Sequence, residues 1–183
     1  ALYRAVVVIV DSPQAFVESI ALIEGVRTNN MASIIVVVVT GSGTYNKMKS
    51  YLAGVDYCLK LNNTPDESAE VLSQIFTSPE WLTTDTLFLD PTRMCLIGND
   101  KKLEVSFAEM KILEAFSQTR SLMLSHDEIA RVMGLNVNFY DPRALEKSIS
   151  RLRGKIKGMY GTNAIQSIRG YGYRLIRGLI STR

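Results

Sequence analysis

The segment from residue 143 to residue 156 combines a stripe of leucine and isoleucine with many hydrogen-bond donors. At about 100° per residue, the apolar side chains of a helix here fall on one side: Leu145, Ile149, Leu152 and Ile156. The opposite side and its flanks carry cations and hydroxyl groups: Arg143, Lys147, Ser148, Ser150, Arg151, Arg153 and Lys155. Such groups contact phosphates and base edges in the major groove of double-stranded DNA. The spacing therefore predicts a helix that docks through its apolar stripe and presents DNA-binding groups outward.

The outward groups are expected to divide into two roles. Arg143, Lys147 and Ser150 lie opposite the stripe and are expected to enter the major groove. The others are expected to contact phosphates or flanking positions: Ser148, Arg151, Arg153 and Lys155. Gly154 lies at the centre of the outer face. Either the helix backbone approaches DNA closely there, or one contact is missing and the affinity is weaker.

A second cationic element follows the helix. The residues from Ile165 to Arg174 read I-Q-S-I-R-G-Y-G-Y-R, which predicts a β-hairpin that turns at Gly-Tyr-Gly. Arg169 lies at its tip and is expected to reach into the adjacent minor groove, where the narrow A·T-rich form concentrates negative potential. Arg174, in the second strand, is a further predicted DNA contact.

Together, this helix and hairpin resemble the effector domain of the OmpR/PhoB family of response regulators, a winged helix-turn-helix. The family pattern is close to R-x-V-D-x-H-I-x-x-L-R-x-K-[LI], followed by I-x-T-[VI]-R-G-x-G-Y. The matching residues are Arg143, Ile149, Leu152, Arg153, Lys155, Ile156, Ile165, Ile168, Arg169, Gly170, Gly172 and Tyr173. The chain departs at Glu146, Ser148 and Gly154, where the family has Asp, His, and Lys or Arg. The resemblance implies a recognition helix and a wing, with double-stranded DNA as the partner.

Charge is distributed unevenly along the chain. Residues 101–183 hold 15 Lys and Arg against 7 Asp and Glu, whereas residues 1–100 hold 6 against 11. This division predicts two modules, of which the basic one has a polyanionic partner. Cys58 and Cys95 have no metal or redox spacing and are expected to be buried in a reducing cytoplasm. The longest apolar run, 34–39, is only strand-sized, so we expect a cytoplasmic protein without membrane contact.

The residues before the helix predict a sheet and two further helices. Short strands are expected at 86–90, 93–97 and 103–105, and the resemblance implies a small antiparallel sheet here. Ser106 with Glu109 and Ser125 with Glu128 have the spacing of capping boxes, which open helices.

The loop 136–142 then leads to the recognition helix. In the family this loop can touch RNA polymerase. Phe139 and Tyr140 are candidates for that contact, and an equally favoured alternative is that they pack under the loop.

The N-terminal part has an α/β pattern. Residues 5–10 and 33–40 read as buried parallel strands, and 57–61 as a third. This pattern resembles the second half of a response-regulator receiver, in which a phosphate-accepting Asp ends one strand and a Thr or Ser ends the next. Asp11 would then be a vestigial phosphoacceptor. Another register makes strand 5–10 the first receiver strand, with Asp11 the remnant of an acidic pair.

Either register leaves the phosphorylation site incomplete. Nothing upstream of Asp11 supplies the carboxylates that hold Mg²⁺ for phosphoryl transfer, and Lys60 falls one position early for the lysine of the family. The ordinary alternative for Asp11 is a helix N-cap within Asp-Ser-Pro.

Catalysis is not expected. His126, the sole histidine, is predicted to be a surface residue, and no Ser/His/Asp or Cys/His arrangement is present. The sequence therefore predicts a protein that is not an enzyme and uses no cofactor and no metal ion.

The sequence as a whole predicts a dimeric, sequence-specific DNA-binding transcription regulator of bacterial type. The expected fold class is an α/β receiver-like N-terminal domain, with a partial doubly wound parallel sheet, plus an α+β winged helix-turn-helix C-terminal domain. The expected bounds are 1–77 for the degenerate receiver, 78–82 for a linker and 83–183 for the DNA-binding domain. In the family, the segments that correspond to 44–53, 57–61 and 65–76 form a symmetric interface. This predicts a homodimer that forms through the N-terminal domain without phosphorylation.

Two alternatives remain open. The chain could be a fragment of a conventional two-component response regulator that phosphorylation switches. It could also be a protein-interaction module whose basic face meets an acidic protein. A phosphoryl-transfer enzyme is least favoured, because the metal-binding carboxylates are missing.

Overall fold

The computed structural model describes residues 5–40, 45–61, 65–77 and 86–182, and the chain divides into two compact units, Ala1–Leu82 and Thr83–Arg183. The predicted linker, 78–82, lies outside the described residues. Within the described ranges, no helix is both long enough and apolar enough to cross a membrane.

The first unit is built on a three-stranded parallel sheet. Its strands are β1 (Ala5–Val10), β2 (Ile34–Thr40) and β3 (Tyr57–Leu61). They alternate with the helices α1 (Pro13–Asn29), α2 (Lys47–Ala53) and α3 (Pro65–Phe76). Parallel neighbours need a crossover connection, which accounts for the alternation. The predicted parallel α/β arrangement of this unit is confirmed.

The strand order favours one of the two receiver registers. The order is β1-β2-β3, with β2 in the centre. A doubly wound sheet of the receiver type has the strand order 2-1-3-4-5. If β1 were the first strand of such a sheet, it would lie between β2 and β3. The observed order fits the last three strands of such a sheet, with Asp11 following the strand that corresponds to the third.

The predicted N-cap at Asp11 is wrong. The cap of α1 is Ser12, whose Oγ accepts a hydrogen bond from the Ala15 amide at 3.2 Å, and Pro13 occupies the first helical turn. Asp11 lies exposed one residue earlier. Aspartate and serine are about equally good N-caps, so residue type alone could not decide between Asp11 and Ser12. The residue at which the helix starts decides it.

A buried ion pair joins α1 to the start of β3. Arg27 is fully buried, and its Nη2 donates to Asp56 Oδ2. Arg27 Nε donates to the Gly54 carbonyl at 2.7 Å, and Asp56 Oδ2 accepts from the Ile35 amide at 2.8 Å. The Arg27–Asp56 pair therefore holds a helix, a turn and the central strand together.

The second unit contains two sheets and three helices. One sheet has the order β10-β4-β5-β6, formed by β4 (Leu87–Asp90), β5 (Cys95–Gly98), β6 (Lys101–Glu104) and β10 (Ile180–Thr182). The other has the order β7-β9-β8, formed by β7 (Met123–Ser125), β8 (Ile165–Ile168) and β9 (Gly172–Leu175). The helices are α4 (Phe107–Gln118), α5 (His126–Val132) and α6 (Pro142–Tyr160).

Two strands begin two residues away from their predicted starts. β5 begins at Cys95 rather than at residue 93, because Met94 has a φ of +51°. β6 spans Lys101–Glu104 rather than 103–105, because the hairpin turns on only two residues, Asn99 and Asp100. Both have positive φ, 51° and 56°, as a type I′ turn requires.

The two predicted capping boxes are confirmed. Ser106 Oγ accepts from the Glu109 amide, and the Glu109 carboxylate accepts from the Ser106 amide; Ser125 and Glu128 repeat this arrangement at α5. The helices α4, α5 and α6 bury a common core with the sheet β10-β4-β5-β6: Leu89, Leu96, Leu113, Phe116, Ile129, Ile149 and Leu152.

Candidate nucleic-acid interface

The long helix α6 begins and ends at clear sequence signals. Asp141 caps it by accepting from the Arg143 amide at 2.9 Å, and Pro142 occupies the first turn. Gly161 ends it in a left-handed conformation with a φ of 73°. The predicted apolar stripe is confirmed, since four side chains have no exposed surface: Leu145, Ile149, Leu152 and Ile156.

The outer face of α6 matches the cationic face of the sequence in most positions. Five of the predicted contact residues are exposed: Arg143, Lys147, Ser150, Arg151 and Lys155. Ser148 and Arg153 are half-buried. The Ser148 hydroxyl donates to the Ala144 carbonyl one turn earlier, at 3.0 Å. The helix therefore presents a band of positive charge to solvent along more than three turns.

Lys155 has a partner within the unit. Its Nζ lies 2.7 Å from Glu109 Oε2, which also accepts from the Ser106 amide at 2.8 Å. Burial alone would raise the pKa of Glu109, but the hydrogen bonds from Lys155 and Ser106 outweigh it, and the pKa lies below its usual value. Lys155 thus ties α6 to the start of α4, a role that the sequence did not predict.

The hairpin β8–β9 lies beside α6, and we call residues 165–175 the wing. Arg169 is exposed at its tip, and the turn closes with a hydrogen bond from the Tyr171 amide to the Ile168 carbonyl at 3.0 Å. Gly170 has a φ of 75°, which disfavours other residues. The wing tip therefore carries the cation that the sequence predicted there.

Gly172 has a different constraint. It pairs with Ser125 across the β7–β9 ladder, and a Cβ at Gly172 would lie 2.8 Å from Ser125 Cα and overlap the Leu124 carbonyl oxygen. The second glycine of Gly-Tyr-Gly is thus required by the close approach of two strands.

The two faces of the wing carry different predicted residues. Arg174 is half-buried, and its Nη2 donates to Gln166 Oε1 of the opposite strand at 2.8 Å. Side chains alternate along a strand, so Arg174 and Gln166 lie on the opposite face from Tyr173 and Ser167. The latter two contact Arg153 of α6. The structure therefore does not bring Arg174 together with the outer face of α6.

The two aromatic residues of the loop before α6 differ in their burial. Phe139 is 85% exposed, so it does not pack under the loop. Tyr140 packs against the core of the unit, and its hydroxyl donates to Asp127 Oδ1 at 3.1 Å.

His126 differs from the sequence prediction of a surface position. It is half-buried, and its ring meets the Tyr173 ring edge to face, with 5.5 Å between the centroids. Register along β9 brings the two rings together, because Gly172 next to Tyr173 pairs with Ser125 next to His126.

The predicted receiver residues lie at one edge of the first sheet. Val10 pairs with Val39, so Asp11, directly after β1, and Thr40, the last residue of β2, lie at the same edge of the sheet. Asp11 and Lys60 are exposed. Among the described residues, no group of three or more His, Cys, Asp or Glu side chains could hold a metal ion.

Replacing Gly154 by alanine is expected to stabilise the second unit by about 0.5–1 kcal/mol, because glycine costs helix stability. A Cβ there would meet nothing within 4 Å, and the same holds for Gly158, whose replacement by alanine is the control. Denaturant unfolding measures the change, and a loss of stability would contradict an uncrowded helical position. Weaker duplex binding by the Gly154 variant alone would support close backbone approach, whereas unchanged binding would support a missing contact.

The chain matches known regulators mainly through its second unit. Residues 100–175 match the family model described as "Transcriptional regulatory protein, C terminal". The uncharacterized transcriptional regulatory protein YvcP of Bacillus subtilis is 30% identical over 76 residues, which are 42% of this chain and 32% of that protein. The transcriptional regulatory protein PhoP of Escherichia coli K12 is 22% identical over 161 residues, 85% of this chain and 72% of that protein.

Among solved structures, the C-terminal domain of the nisin resistance regulator NsrR is 30% identical. That match covers 51% of this chain and 94% of that domain, with a TM-score of 0.39. The chain spans about a third of the length of YvcP.

Proposed function

We propose that this chain is a sequence-specific DNA-binding transcription regulator whose second unit is of the OmpR/PhoB type, a proposal that the family match over residues 100–175 supports. The observation that carries the proposal is the outer face of α6. Its exposed Arg143, Lys147, Ser150 and Arg151 lie on a helix whose opposite stripe is fully buried. A helix held in this way can place its outer face in a major groove while its buried stripe stays packed in the core of the unit.

The charges support a polyanionic ligand. Residues 101–183 carry a net charge of +8, whereas residues 1–100 carry −5. Phosphate contacts by lysine and arginine release counterions, which gives affinity for DNA of any sequence. Sequence preference then requires contacts with base edges, and Arg143, Lys147 and Ser150 are the groups that we assign to them.

The remaining predicted residues have less direct roles in this proposal. Arg151 is exposed and is assigned to a phosphate, and Arg169 to the minor groove beside the major-groove site. Lys155 forms an ion pair with Glu109, which partly neutralises its charge, so its phosphate contact is expected to be weak. The exposed Phe139, at the loop before α6, is available to a protein partner, for which RNA polymerase is our proposal.

Replacing Lys147 by alanine is expected to relax base preference at one position of the site by about 1–3 kcal/mol if its ammonium reads a base edge. Binding is measured with duplexes that carry each base at every position. The matched control is Lys102→Ala, which removes an exposed lysine of the same unit from β6. Equal base preference in the Lys147 variant and the parent would remove Lys147 from the interface.

We also propose that the first unit mediates a homodimer without phosphorylation. Its helices α2 and α3 expose the apolar residues Leu52, Val71 and Phe76, which supports association through these helices. Sedimentation at micromolar concentration is expected to give a dimer without a phosphodonor. A monomer that becomes a dimer only with a small-molecule phosphodonor, and not after Asp11→Asn, would instead support a conventional phosphorylation-switched regulator.

A further inference from the structure

Arg153 lies in surroundings that do not fit the role expected for it. The sequence predicted a phosphate contact, but the side chain is half-buried and turns toward the wing. Its Nη2 donates to Ser167 Oγ of β8 at 2.8 Å, and its guanidinium carbon lies 5.2 Å from the centre of the Tyr173 ring of β9. One side chain of α6 therefore contacts both strands of the wing.

The contacts with Ser167 and Tyr173 hold the guanidinium of Arg153 in place. Arg153 Nε is buried and has no hydrogen-bond partner among the described residues. One N–H of the guanidinium is therefore left without a hydrogen bond in the position over the ring. A cation over an aromatic face within about 6 Å is attracted by the ring. The loss of a donor is offset only while the Ser167 and Tyr173 contacts persist, which ties the rotamer of Arg153 to the position of the wing.

Tyr173 is also held from the other side of the domain. Its ring meets His126 at the start of α5 edge to face, with an interplanar angle of 79°. Tyr173 therefore lies between His126 in the first turn of α5 and Arg153 in the fourth turn of α6. Ser167 is two residues before Arg169 in the chain, so the same contacts set where the wing tip lies relative to α6.

We propose that Arg153 is a positioning residue that fixes the wing against the recognition helix, and that it does not contact a DNA phosphate. The proposal rests on the proposed function for its biological meaning, because the wing tip is assigned to the minor groove. In the free protein it concerns only the wing and α6, and it can be tested there without DNA.

Hydrogen exchange of the free full chain is the first measurement. Arg153→Ala is expected to speed amide exchange in 165–175 by roughly tenfold, since it removes a hydrogen bond and a cation–π contact. Exchange in α4 is expected to stay unchanged, which shows that the domain remains folded. Arg151→Ala is the matched control: it removes an exposed arginine from the same helix and should leave wing exchange as in the parent.

Salt dependence of duplex binding is the second measurement, and it separates positioning from phosphate contact. Arg151→Ala is expected to lower the slope of log affinity against log salt by about one, and Arg153→Ala is expected to leave it nearly unchanged. Arg153→Lys keeps the charge but lacks the planar guanidinium, so it should restore neither wing protection nor the preference for A·T next to the site.

The outcomes are distinct. Unchanged wing exchange in Arg153→Ala and Arg153→Lys, with a slope lowered by about one in Arg153→Ala, would overturn the proposal and leave the proposed function standing. If Arg153→Ala fails to fold, Ser167→Ala and Arg153→Lys decide, since each should loosen the wing. Faster wing exchange in a protein that binds no duplex with preference would support the positioning role and refute the proposed function.

Discussion

Replacing Asp56 by alanine is expected to destabilise the first unit by about 3–5 kcal/mol, because the change leaves a buried guanidinium without its counter-ion. Arg27 has no exposed surface, so its guanidinium would stay buried without the charge that it pairs with. The same carboxylate accepts from the Ile35 amide, so the central strand also loses a partner. An effect of this size is a large fraction of the stability of a typical domain, which is about 5–15 kcal/mol.

Hydrogen exchange of α1 and β2 amides in increasing denaturant measures the loss within the full chain. Asp66→Ala, which removes an exposed carboxylate from α3, is the control and should change little. Replacing both partners, with Arg27→Met and Asp56→Leu, should cost less than Asp56→Ala, because no unpaired charge remains. A loss below about 1 kcal/mol in Asp56→Ala would place it in the range of exposed pairs and contradict a buried one.

Gly172→Ala is expected to have the second largest effect, displacing the wing from the rest of the domain. A Cβ at this position overlaps the backbone of Leu124 and Ser125, which cannot move aside as a side-chain end can. Forcing a methyl group into packed structure costs about 1–3 kcal/mol, and the β7–β9 ladder is the part that must open. We expect faster exchange of the Leu124 amide and the loss of any binding contribution from Arg169.

Gly170→Asn separates this crowding from backbone strain. Gly170 has a positive φ, but a Cβ there would meet nothing within 4 Å, and asparagine tolerates the left-handed region. This variant should keep the stability of the parent to within about 0.5 kcal/mol, as a change that avoids strain and overpacking does. Equal stability of Gly172→Ala and Gly170→Asn would show that β7 does not crowd Gly172.

The features of the fold that the sequence predicted depend on local spacing. The stripe of α6 follows from the helical period, and the two capping boxes follow from serine and glutamate three residues apart. The wing follows from apolar residues around Gly-Tyr-Gly. Each of these signals lies within a few turns of chain.

The missed features depend on contacts between residues distant in the sequence. β7 and β10 have three residues each, too few to show an alternating pattern, and exist because other strands pair with them. Lys155 was predicted to be a phosphate contact, but its partner Glu109 lies 46 positions earlier. Arg153 and Arg174 are both arginines near the motif, and only the register of β8 with β9 shows which face of the wing each side chain meets.

Duplex binding by the full chain distinguishes a sequence-specific regulator from a protein that binds any polyanion. A randomised duplex pool is enriched for bound sequences, and the affinity of the enriched duplex is compared with a scrambled duplex of equal composition between 50 and 200 mM salt. We expect both affinities to fall steeply with salt and the enriched duplex to bind tighter by on the order of 10³-fold or more. Arg143→Ala with Lys147→Ala should remove most of that difference. Equal affinity for both duplexes at every salt concentration would refute sequence-specific binding, since the basic face would then bind polyanions without reading sequence.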